Sequence, residues 1–251
     1  MIYNGILFAS MISLLSSSSY DRQKYYNLAT FASEVERYDA AVRYINFVFE
    51  KESHLSSDEE ELFRKSYRKA FDDLRRQWST IERTKFVDYR EQKPMSFKAA
   101  TIEQRALESK MQNLCSVLFD LLSLKLKNEF SNDSMERVRY LKMQADFARD
   151  ILGFSSGEFR ADVRNHAQFG YVEALKVAHR FLPRIHPLLL STALNYAIFA
   201  SNCGETQLAI HIIKRALDGV YQEVALLTPI EYSNSQKLIQ VMEKNLELWT
   251  T

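Results

Sequence analysis

The chain has 251 residues, with 33 Lys and Arg against 32 Asp and Glu, a formal net charge of +1. That balance excludes a general nucleic-acid binder, which carries a basic excess. The 46% hydrophobic and 26% charged content is the mixture of a soluble globular protein. Six Gly and four Pro are too few for the tight turns of a sheet protein, so long helices and few loops are expected.

Residues 5–15 form a short apolar run followed by Ser16 to Ser19, with no Lys or Arg before Arg22. The run lacks the basic flank of a signal peptide and is too short to span a bilayer. Residues 1–20 are therefore expected to form an extension, and 21–251 a single helical domain. From Asp21 onward apolar residues recur at helical spacing, as in Tyr38, Ala41, Val42, Ile45, Val48 and Phe49. This predicts nine helices, near 21–35, 38–52, 57–87, 97–127, 133–155, 158–181, 187–202, 205–224 and 230–249. Ser57 and Glu60 read as a capping box. Pro94 interrupts the charged stretch after the third helix, and Pro183 and Pro187 bracket the sixth-to-seventh junction. Gly204 is placed to end the seventh helix, and Thr228-Pro229 to open the ninth. Short connections make neighbouring helices antiparallel.

Enzyme motifs are missing. No phosphate loop, G-x-G-x-x-G, H-E-x-x-H or G-x-S-x-G occurs. The five histidines, His54, His166, His179, His186 and His211, show no ligand spacing, so no metal or cofactor is expected. Cys115 and Cys203 lie far apart and read as reduced thiols of a cytoplasmic protein.

The chemistry lies in charged and amphipathic helix faces. On the third helix, Arg68, Asp72 and Arg76 are spaced four apart, on nearly one face. They read either as surface ion pairs or as an anion site, because arginine forks suit phosphate. Arg149 on the fifth helix is a candidate to join them. Asn195 and Asn245 sit among apolar residues on the seventh and ninth helices. A side-chain amide there either bridges helices or holds the backbone of an extended peptide.

Several strings resemble the 14-3-3 family, in its order and at nearly its spacing. They are Glu36-Arg-Tyr-Asp39, Arg75-Arg-Gln-Trp78, Tyr140-Leu-Lys-Met143 with Asp146 and Arg149, His186-Pro187 with Ala193-Leu-Asn195, and Asn245-Leu-Glu-Leu-Trp-Thr250. The resemblance runs from about residue 22 to 250. It implies an all-α domain of nine antiparallel helices with a concave groove, an adaptor for phosphoserine or phosphothreonine segments rather than an enzyme. It implies that Arg68, Arg76 and Arg149 hold the phosphate and that Lys142, Asn195 and Asn245 hold the peptide. Leu194, Ile198, Val241, Leu248 and Trp249 would form the apolar wall.

The departures matter equally. Asp72 stands where the family has a small residue, and Asp150 where it has a phosphate-donating Tyr. Two anions beside three cations suggest an alternative: a groove for unphosphorylated partners, its pocket neutralised from within. Asn202 replaces a rim Glu. The resemblance also implies a homodimer or heterodimer through Phe31 and Val35. The ion pairs at Arg37 and Ala40 meet Lys110 and Ala106 here, so the dimer is expected to be weakened.

Overall fold

The computed structural model describes residues 20–51, 55–127, 134–153, 155 and 157–250. All of the expected N-terminal extension except Tyr20 lies outside them, as does His54. Among the described residues there are nine α-helices and no strand. They are α1 (residues 20–34), α2 (Tyr38–Lys51), α3 (Ser57–Arg90), α4 (Pro94–Lys127), α5 (Ser134–Leu152), α6 (Gly157–Phe181), α7 (Pro187–Asn202), α8 (Thr206–Leu217) and α9 (Pro229–Thr250). A 3₁₀ turn at Val224–Leu226 precedes α9. The chain divides into two compact units, Met1–Val117 and Leu118–Thr251.

Local signals place most helix ends. The α1–α2, α3–α4 and α7–α8 junctions each turn through a left-handed residue: Glu36 (φ 59°), Gln92 (φ 54°) and Gly204 (φ 84°). At each, the next amide donates to a carbonyl five residues back: Arg37 to Ala32, Lys93 to Asp88 and Glu205 to Ala200, at 2.8, 2.9 and 2.9 Å. This is the Schellman closure of a helix C-terminus. Pro94 opens α4 instead of delaying it, since a first-turn proline forfeits no helical hydrogen bond. Helix α8 is shorter than its sequence pattern. It stops at Leu217, where Asp218 is extended and Gly219 turns at φ 66°.

The capping box of α3 sits one residue before the expected pair. Ser56 Oγ accepts from the Glu59 amide at 3.2 Å, and Glu59 Oε2 accepts from the Ser56 amide at 2.8 Å. Ser56/Glu59 and Ser57/Glu60 fit the pattern equally as sequence. The buried stripe decides, because Glu59 lies in line with Leu62, Phe63 and Tyr67. There it also receives Arg22 of α1, with Nε at 2.7 Å from Oε1. Burial raises the Glu59 pKa, but the Arg22 and Ser56 bonds overcome it and leave the carboxyl below its ordinary value. In this unit α2 packs on α3, with Phe49 stacked on Phe63 at 4.2 Å.

In the second unit α5 and α6 share the most extensive helix–helix contact. Small residues allow it: Ala145, Ala148, Ala167 and Ala174 are fully buried. A Cβ on Gly170 would lie 3.0 Å from both the Leu141 carbonyl oxygen and Ala145 Cβ. Helix α7 then packs against α5, α6, α8 and α9. Its start is fixed by Pro187 and by His186 Nδ1, which accepts from the Leu188 amide at 3.2 Å. Thr228 and Glu231 cap α9 reciprocally. Buried Ser235 ties α9 to the Ile185 carbonyl at 2.6 Å.

Substituting Gly170→Val should overpack the α5–α6 contact. Urea denaturation is expected to show a loss of about 1–3 kcal/mol, although Val is the better helix former.

Candidate functional site

The first unit contributes the exposed face of α3. Its buried stripe runs through Leu62, Phe63, Ser66, Tyr67 and Ala70, leaving Arg68, Asp72, Arg75 and Arg76 exposed. An α-helix turns about 100° per residue, so a step of seven returns within about 20° of the start, while a step of eight drifts by about 80°. Arg75 therefore shares the meridian of Arg68, and Arg76 does not. Arg76 is engaged elsewhere: its Nη2 donates to Asp73 Oδ1 at 2.9 Å. Asp73 also accepts from Gln77 at 2.9 Å. Both Asp73 and Gln77 line a cleft of about 620 Å³ bounded by α2, α3 and α4. The expected trio of Arg68, Asp72 and Arg76 thus spreads across the helix surface, and the ion pair of Arg76 is with Asp73.

The second unit contributes α5, α7 and α9, with α7 between the other two. Here the candidate residues are organised by one carboxylate, Asp146. Its Oδ2 accepts from Lys142 Nζ at 2.6 Å. Its Oδ1 accepts from the Tyr171 hydroxyl and from Asn195 Nδ2, each at 2.8 Å. Arg149 Nη1 stands 3.7 Å from the same oxygen. A single residue thus sets the positions of Lys142, Arg149 and Asn195. Burial pushes the Tyr171 hydroxyl pKa far up, and the Asp146 charge adds to the shift, so Tyr171 is a firm neutral donor.

Arg149 is further claimed by its neighbour. Its Nη2 and Nε lie 2.8 and 3.1 Å from Asp150 Oδ1. Burial lowers the Arg149 pKa, but the Tyr171 oxygen and the Asp146 and Asp150 carboxylates outweigh it, so the guanidinium is held charged. Only 22% of the Arg149 side chain is exposed, against 39% for Asp150.

On α7, Asn195 and Ile198 are partly exposed, whereas Leu194 is only 6% exposed and belongs to the core. On α9, Val241, Asn245 and Leu248 form a stripe at i, i+4 and i+7, with Trp249 beside it. Leu248 is 73% exposed. Asn245 Nδ2 presently donates to the Val241 carbonyl at 2.9 Å. The rim residue Asn202 is exposed at the end of α7.

Sequence reasoning missed the organising role of Asp146. The i, i+4 spacing from Lys142 and i, i+3 spacing to Arg149 carried a faint signal of it. The contributions of Tyr171 and Asn195 come from other helices and leave no local signature.

An all-helical unit that presents positioned cations, backbone-competent amides and exposed apolar residues together is a protein-interaction module. The family model for 14-3-3 protein matches residues 28–250. Similar relatives include 14-3-3 protein eta of Bos taurus and of Mus musculus. Each is 29% identical over 240 residues, covering 92% of this chain and 95% of the relative. The chain belongs to the 14-3-3 family of adaptor proteins. No helix among the described residues is long and apolar enough to cross a membrane.

Removing the hub by Asp146→Ala should leave the buried Tyr171 hydroxyl without its acceptor and Lys142 without its carboxylate, while Arg149 keeps Asp150. Chemical denaturation is expected to show a loss of about 1–3 kcal/mol. Tyr171→Phe in the Asp146→Ala background should restore part of it.

Proposed function

We propose that this protein is a phosphoserine- or phosphothreonine-peptide adaptor whose phosphate pocket is closed by its own aspartate. The observation that carries the reading is the Arg149–Asp150 pair beside the Lys142–Asp146–Asn195 network. An incoming phosphate displaces Asp150 from Arg149, trading one anion for another with more acceptor oxygens. Within the first unit, Arg68 and Arg75 share one meridian of α3 and are the pair suited to an anion. The α3 meridian favours Arg75 over Arg76. Asn195 and Asn245 hold the backbone of the extended segment, Asn245 after releasing the Val241 carbonyl. Ile198, Val241, Leu248 and Trp249 take its apolar side chains. Asp150 sets a threshold. A like charge kept close to phosphate costs on the order of 1–4 kcal/mol at surface-like dielectric, or about one to three decades of affinity. The free thiols suit a reducing, cytoplasmic setting, and burial pushes Cys115 up to about 12, so it is unreactive near neutrality.

The same Arg149–Asp150 pair supports a second reading, in which the site is satisfied without phosphate and takes unphosphorylated partners. Fluorescence anisotropy with one extended peptide, with and without phosphate on its central serine, separates the two. The phosphorylated form is expected to bind at least about tenfold tighter, and Asp150→Tyr to strengthen it by about another tenfold. Arg149→Glu should abolish the preference. Equal binding of both peptides would favour the second reading. Failure of both peptides on the Asp150→Tyr variant would sink both readings.

We propose also a weakened dimer. Phe31 and Val35 are 63% and 47% exposed on α1 and offer an apolar contact. Ala40 is buried with Ala32 and Ala41 in the protomer's own core, so it takes no part in an interface. Lys110 opposing Arg37 disfavours association. Sedimentation velocity at nanomolar concentration is expected to show protomers. Lys110→Glu should strengthen the dimer by about 0.2–1 kcal/mol, a few-fold in Kd.

A further inference from the structure

Helix α7 has a second working face. Asn195 and Ile198 lie on one side of it, while Ala193 and Tyr196 lie on the other, roughly half a turn away. Ala193 and Tyr196 floor a cleft of about 500 Å³ between α6 and α8. Both helices pack on α7 without substantial contact with each other, which leaves the gap. Its apolar strip is made by Val172 and Leu175 from α6, Tyr196 from α7, and Leu208 and Ile212 from α8.

The charged residues lining this cleft are Lys176 and Arg215, and two histidines stand beside them. Lys176 and His179 stand on the α6 wall, His211 and Arg215 on the α8 wall, and no Asp or Glu among the described residues lines it. Lys176 has only a loose partner, Glu173, at 3.5 Å. Arg215 is exposed and forms no ion pair among the described residues. Its field reaches His179 on the opposite wall: burial first, then Arg215 and Arg184, holds that imidazole below its ordinary pKa. A protein of net charge +1 thus concentrates basic groups on both sides of one apolar strip.

The geometry points to a docking site for an acidic amphipathic helix of a partner protein, laid between α6 and α8. The walls, residues 172–179 and 208–216, each cover about two helical turns, roughly 10–12 Å. That is room for apolar side chains at i, i+3 and i+4 to enter the strip. The two-sided basic rim selects the occupant. An amphipathic helix carries acidic residues on both flanks of its apolar stripe and pairs with Lys176 and with Arg215 at once. A single-headed small amphiphile satisfies one wall and leaves the other unpaired. The site is separate from the phosphate face and does not depend on the function proposed above.

The test uses the full chain and the labelled peptide Asp-Leu-Glu-Glu-Leu-Leu-Glu-Asp-Leu-Glu-Glu, followed by fluorescence anisotropy. A second peptide has the same leucines and Lys at every acidic position. The acidic peptide is expected to bind, and the basic one at least about tenfold more weakly. Arg215→Glu and Lys176→Glu should each weaken the acidic peptide by about tenfold or more, while the charge-matched control Arg83→Glu changes it by less than about twofold. These residues are exposed, and circular dichroism checks that the variants fold. Phosphopeptide binding, measured on the same Arg215→Glu sample, should be unchanged, so the fate of this site and of the phosphate site are read separately. The proposal is overturned by any of three results: no binding at about 1 mM, an affinity indifferent to Arg215→Glu, or decanoate displacing the peptide at a comparable concentration.

Discussion

The carboxylate of Asp146 is the constraint on which the candidate face depends. One ionised group accepts from a lysine, a tyrosine and an asparagine and stands beside an arginine. Those donors come from α5, α6 and α7, so the three helices are locked in rotation as well as in distance. Bonds to an ionised acceptor are the stronger kind, and they are stronger still where water is partly excluded. A side-chain amide held at one end by such a bond has its remaining donor and acceptor aimed outward. That pre-orientation lowers the entropy cost of meeting a ligand.

The same network explains why the α5–α6 contact is so close. Tyr171 reaches Asp146 only because Gly170 and the flanking alanines let α6 approach α5. The ring of Tyr171 then stacks on Tyr196 of α7 at 5.6 Å. The polar hub and the aromatic layer are thus two ends of one side chain. Tyr196 in turn floors the cleft on the far side of α7, so the two faces of this helix share a wall.

Two of the arginines are engaged by carboxylates of their own helices. Asp150 occupies Arg149 from the adjacent position, and Asp73 occupies Arg76. Each pair is local to one helix and partly exposed, so each contributes modestly to stability. In the function proposed above, a ligand competes with the internal anion on Arg149. Elsewhere in the first unit polar groups serve packing, where Glu59 caps α3 and receives Arg22.

The helix pattern was legible because apolar periodicity and the Gly and Pro positions are local properties, set within a few turns of chain. The ends of α7 and α9 follow from His186-Pro187, Gly204 and Thr228-Pro229 in this way. Helix α8 was read too long, because the turn at Asp218 and Gly219 interrupts an apolar pattern that itself continues to Val224. Neighbouring choices were not legible. Ser56 and Ser57 are equivalent caps until Arg22 arrives from another helix to select Glu59. Arg75 and Arg76 are equivalent cations until the 40° drift of each four-residue step is counted from a known buried stripe. Leu194 reads as groove wall by its neighbours, and packing puts it in the core. The sequence by itself determined the elements and the chemical inventory of each face, since both depend on short-range sterics and side-chain type. Only the tertiary structure decided which groups meet: that Asp146 gathers Lys142, Tyr171 and Asn195, and that four basic groups face one another across α7. Such contacts are set by packing between residues far apart in the chain, and no local rule encodes them.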